Sequence, residues 1–157
     1  RWAEVEPQFL GGLTVFFEVK ESSLPTLDVA AYLIRLHRFP FNRKKGHYWF
    51  SMPLYDLPEM KLKVIAHELT HLYMFDMYGD KLAKEFDEAT IDNIKEITAT
   101  LAVCTHYQTF LKGVKENFHP RNRGFARHVT GKIKNPRDPK FQEIVGLARN
   151  HLPTSQS

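Results

Sequence analysis

Residues 64–75 read Val-Ile-Ala-His-Glu-Leu-Thr-His-Leu-Tyr-Met-Phe, which sets His67, Glu68 and His71 inside an otherwise apolar run. Burying a polar group without a partner costs roughly 1–3 kcal/mol, and more if it is charged. Something must therefore satisfy all three. On a helix, His67 and His71 stand at i and i+4, one turn apart on the same side. Val64, Met74, Phe75 and Tyr78 share that side, while Leu62, Ile65, Leu69 and Leu72 line the other. A helix apolar on both sides lies inside the protein. Two imidazoles so placed can offer nitrogens to one Zn²⁺, which takes neutral histidine at about 2.0–2.1 Å and needs a third protein ligand to leave one position open for water. Glu68, one residue on, then serves as the base that takes the water's proton.

The third ligand is sought on the next helix, expected over about residues 87–112 and closed by Gly113. Glu96 shares a face there with Ala89, Ala99, Val103, Tyr107 and Phe110, with Thr100 one turn on. Such a stripe faces protein, and a carboxylate at its centre wants a cation. Asp92, one turn earlier, is the rival ligand, and Glu88 sits further round.

Working outward, Pro58 and Glu59 suit the first turn of the metal-bearing helix, since proline lacks only an amide that would be orphaned and the acid complements the dipole. That helix is expected to stop at Gly79, just after Tyr78. Upstream, residues 13–20 follow a Gly-Gly pair and read as a strand, residues 27–38 as a helix stopped by Phe39-Pro40, and residues 47–52, "HYWFSM", as a second strand. Downstream, residues 117–139 read as loop with a short element over 125–134, and a last helix spans about 138–151. The pattern predicts one α+β domain over residues 1–152 and a frayed tail over 153–157.

Composition excludes little beyond a membrane span: 43% of the 157 residues are hydrophobic, with no apolar run long enough to cross a bilayer. The net charge of +4 and a pI near 9.2 permit contact with nucleic acid, with basic residues clustered at 43–45 and 121–134, although a solvated basic face is the simpler reading. The single Cys104 forms no intrachain disulfide and reads as a core residue, which points to a reducing compartment such as the cytoplasm. The chain opens at Arg1 without Met or a signal-like stretch, which leaves room for upstream sequence.

"HELTH" followed by "IKEITATLA" resembles the gluzincin branch of the zincin metallopeptidases, whose pattern is H-E-x-x-H and then a glutamate ligand on the next helix. The resemblance covers about residues 64–102. It implies a zincin-like fold with a small mixed or antiparallel sheet packed on the active-site helix. It also implies a zinc-dependent peptidase with His67, His71 and Glu96 as ligands and Glu68 as general base. Thr100 stands where the family has an aspartate that orients a ligand histidine, so either Asp92 takes that role or activity is weak. The family's edge strand beside the bound peptide would be "HYWFSM", and its oxyanion donor would come from Tyr78, Tyr107, His119, Arg123 or His128. Two rival readings accompany this one. One is a SprT-like DNA-associated protease, which would take His119 or His128 as third ligand. The other is a binding module with a structural metal closed by Asp92 or His106, or with none.

Overall fold

The computed structural model describes residues 2–35, 41–42, 44, 47–54 and 57–151. Among these, five α-helices and three short strands give a mixed α+β architecture. In chain order they are α1 (Trp2–Phe17), β1 (Val29–Ile34), β2 (Phe41–Asn42), β3 (Tyr48–Pro53), α2 (Pro58–Glu85), α3 (Glu88–Thr105), α4 (Arg123–Thr130) and α5 (Phe141–Arg149), with 3₁₀ turns at Glu21–Ser23 and Pro120–Asn122. No described helix is long and apolar enough to cross a membrane. The Phe39-Pro40 stop, most of the 43–45 basic cluster and the 153–157 tail lie outside the described residues.

α2 is the spine. One flank packs with α1, α3, α4 and α5 around a core that includes Phe9, Leu13, Met74, Ile94, Ile97, Val103 and Ile144. The other flank closes a smaller cluster with β3, made of Tyr48, Phe50, Met52 and Leu72. The two-sided apolar pattern of the HELTH segment is satisfied in this way. The hydroxyl of Tyr48 also bonds Asp76, fastening β3 to α2. Behind the histidines, Thr70 Oγ1 donates to Ala66 O at 2.7 Å and lies 2.8 Å from the Tyr107 hydroxyl, tying α2 to the residues that follow α3.

Several expectations need correction. Residues 13–17 end α1 and are not part of a strand: Phe9, Leu13, Phe16 and Phe17 recur at helical spacing, and each is at most 1% exposed. The Gly-Gly pair lies inside this helix. At Gly12 an added Cβ would meet Tyr107 Cδ1 at 2.8 Å and His106 O at 3.0 Å, so the missing side chain lets α1 close onto the buried tyrosine. Gly12→Ala is expected to destabilise the fold by about 1–3 kcal/mol, read as a lowered denaturant midpoint; an unchanged midpoint would show that this close approach is dispensable.

Residues 29–34, expected as helix, form β1, because pairing with β3 overrides the local apolar spacing. β1 runs parallel to β3, with Val29 opposite Tyr48, and β2 runs antiparallel to it, with Phe41 opposite Phe50. The order β1-β3-β2 makes β3 the centre of the sheet. "HYWFSM" is thus a strand, as expected, but not the edge strand the resemblance called for.

α2 continues past Gly79 to Glu85, where burial of Leu82 offsets a glycine penalty of about 1 kcal/mol. α3 opens as expected, with Asp87 capping the amide of Thr90 at 2.7 Å, but closes at Thr105 rather than at 112. There Gln108 takes over the hydrogen bonding, donating to Val103 O and Val114 O and accepting from the amide of Gly113, whose φ of +74° suits glycine. The short element expected over 125–134 is α4, and the last helix begins at Phe141.

Candidate metal centre

The i, i+4 spacing on α2 brings the rings of His67 and His71 to 4.5 Å between centroids. Glu96 reaches them from α3, and one donor atom from each of the three lies within 4.8 Å of the others. His67 Nε2 is 3.7 Å from Glu96 Oε2. Two ligands about 2.0–2.1 Å from one tetrahedral ion stand roughly 3.3 Å apart, so the donors would have to draw together to share one ion. Side-chain exposure rises from 3% at His71 through 13% at His67 to 18% at Glu96, so burial falls off toward the glutamate.

Two of the donors are held by neighbours. Glu116, from the stretch after α3, lies 2.8 Å from His67 Nδ1; with the proton on Nδ1, the lone pair of Nε2 faces the cluster. Lys95, itself buried, contacts Glu96 Oε1 at 2.9 Å and Asp92 Oδ1 at 2.8 Å, which leaves Glu96 Oε2 for the histidine side. Glu68 Oε2 is buried 3.4 Å from His71 Nδ1, a contact that opposes the lowering of the His71 pKa by burial.

The electrostatics fit a cation. Burial alone would lower the pKa of His67, but its hydrogen bonds with Glu116 and Glu96 push it up to about 10. Burial likewise opposes ionisation of Glu96, yet His67, His71 and Lys95 hold its carboxyl well below the usual range. Glu116 is lowered against burial by the same His67. His71 is shifted down, by burial and then by the charge of His67, against the opposing pull of Glu68 and Glu96. Protonated His67 is thus the positive partner of Glu96 and Glu116, and a metal ion held through Nε2 would have to displace its proton.

Comparison of the chain with family models, with curated proteins and with solved structures finds no match.

The other residues singled out by sequence are engaged elsewhere. Asp92 pairs with Lys95 and with Arg121 at 3.0 Å, so it does not orient a histidine. His106 lies 3.0 Å from Pro139 O, and His128 stacks at 4.4 Å on His151, so neither joins the three-donor group. Tyr107 is fully buried against Thr70, and Tyr78 packs between Phe17 and Phe141. Arg123 and His119 are exposed, with His119 three residues past Glu116. Cys104 is half-buried: the amide of Glu116 donates to its Sγ at 3.4 Å, and burial pushes its thiol pKa up, which suits a structural thiol. Glu116 itself had no signature, since it follows His67 by 49 positions on a segment without regular structure. Its one sequence-level hint is that it is one of only two acids between residues 112 and 140.

Proposed function

We propose that the chain is a zinc-dependent metallopeptidase of zincin type, with His67, His71 and Glu96 holding one Zn²⁺ and Glu68 acting as general base. The observation that carries this reading is the convergence of the three donors, with the buried carboxylate of Glu68 beside them. Two imidazoles and one carboxylate form the donor set of a catalytic zinc site that retains an open position, whereas structural zinc is normally closed by four protein ligands. Asp92 and His106, which could have closed it, are engaged elsewhere.

Bound Zn²⁺ would supply Lewis acidity, bringing the pKa of a coordinated water toward about 7 and polarising the substrate carbonyl. Glu68 accepts the proton of the attacking water and delivers it to the leaving amine. Glu116 fixes the His67 ring and Lys95 fixes Glu96, so neither donor has to be ordered at the moment of binding.

The test is metal analysis of the purified chain together with two substitutions. The parent chain is expected to carry about one zinc per molecule, Glu96→Ala to carry a small fraction of that, and His128→Ala to keep it. Full occupancy in Glu96→Ala, or loss in His128→Ala, would overturn the ligand set and favour the histidine-ligated alternative.

A further inference from the structure

Charge is distributed very unevenly along the chain. Residues 112–140 carry nine lysines and arginines against two acids, whereas the whole chain carries 22 against 18. The two acids are both committed, Glu116 to His67 and Asp138 to Lys140. Lys112, Lys115, Arg123, Arg127, Lys132, Lys134 and Arg137 are exposed, and none forms an ion pair among the described residues.

This segment is anchored to the metal centre at two points. Glu116 touches His67. Five residues on, Arg121 meets Asp92, whose other oxygen contacts the Lys95 that holds Glu96. Asn122, next in the chain, donates to Asn93 Oδ1 at 2.7 Å, docking the Pro120–Asn122 turn on α3. Residues 116–121 thus run from the partner of His67 to Arg121, which reaches Glu96 only through Asp92 and Lys95, and the rest of the basic segment follows them in the chain. Of the segment's charged side chains, Glu116 and Arg121 are the ones tied to the cluster's surroundings, and the surplus of seven positive charges over residues 112–140 belongs to the stretch they anchor.

We propose that this basic rim selects peptides bearing acidic side chains next to the scissile bond; the inference rests on the peptidase reading and names its substrate class. Nucleic acid is the other polyanion to weigh, and the aromatic residues of the segment argue against it. Phe125 is buried and Phe118 packs against the core, so neither offers an exposed face on which a base could stack.

The experiment uses the zinc-loaded Glu68→Gln chain, which binds without turnover, and two fluorescent decapeptides of the same apolar sequence, flanked in one by Asp and Glu and in the other by Lys. Anisotropy is expected to show the acidic peptide binding about tenfold or more tightly, and Arg123→Glu/Arg127→Glu is expected to erase that preference with zinc content and thermal midpoint unchanged. Equal binding of the two peptides, or indifference to the charge reversal, overturns the proposal. A single-stranded oligonucleotide that binds more tightly than the acidic peptide, and is lost with the same double variant, overturns it in favour of nucleic acid. Zinc measured on the same samples separates the two readings: a chain that takes up no zinc yet still prefers the acidic peptide removes the peptidase reading and leaves the anion selectivity standing.

Discussion

Glu68→Gln is expected to keep zinc occupancy near that of the parent chain while lowering peptide hydrolysis by about 10²–10⁴-fold, equivalent to about 3–5 kcal/mol of barrier. The amide matches the carboxylate in shape, so the neighbouring Leu72 and the β3 side chains packed against α2 need not move. What it loses is basicity, because a glutamine oxygen takes no proton from water. Glu68 stands outside the three-donor group, with its Oε2 3.4 Å from His71 Nδ1. Removing its charge therefore withdraws a proton acceptor and not a ligand. The measurement pairs kcat on a quenched fluorescent peptide with zinc content on the same preparation. Activity within a few-fold of the parent would dismiss Glu68 as base. Loss of zinc together with activity would show instead that the carboxylate helps to hold the ion, which is the pattern of a structural site.

The parts of the molecule legible in its sequence are those whose signal is local and chemically costly. Two histidines and a glutamate in an apolar helix have few inexpensive solutions, and Glu96 on an alanine-rich face has fewer, so three-residue convergence could be read without a structure. β3 was legible for the same reason, as an aromatic run bounded by Gly46 and Pro53. Where competing local signals exist, tertiary packing decides. Residues 13–17 satisfy a strand pattern and a helix pattern at once, and the helix prevails because Phe9, upstream of the Gly-Gly pair, joins Leu13, Phe16 and Phe17 in one core. Residues 29–34 show apolar helical spacing, yet β3 supplies a backbone ladder that spacing does not encode. Gly79 looks like a helix stop, and Leu82 one turn beyond it is buried at 2% exposure, so the helix continues. Glu116 marks the limit most clearly. Its role depends on the chain folding back from Cys104 across α2, and no periodicity reports such a return.

That return makes Glu116 the subject of the second large effect. Glu116→Ala is expected to weaken zinc binding by about 10–100-fold, with helical content unchanged. Glu116 Oε2 lies 2.8 Å from His67 Nδ1, where it restricts rotation of the ring and, with zinc bound, would hold the tautomer that presents Nε2 to the ion. Lys63 Nζ, 3.7 Å from the other oxygen, and the amide hydrogen bond to Cys104 Sγ keep the carboxylate in place. On the zincin reading proposed above, Glu116 would take the part that the family gives to an aspartate at the position of Thr100, sixteen positions earlier, and Thr100 would then not imply a feeble site. Glu116→Gln separates the two contributions. Its carbonyl still accepts from Nδ1–H, so orientation survives while the negative charge that raises the basicity of the imidazole is lost, and its affinity is expected to fall between those of the parent and the alanine variant. Competition with a chromophoric chelator gives all three constants. If the alanine variant binds zinc as tightly as the parent, the carboxylate is a bystander and the His67 ring is held by α2 alone. If the glutamine variant is as weak as alanine, charge and not orientation is what the 116 position contributes.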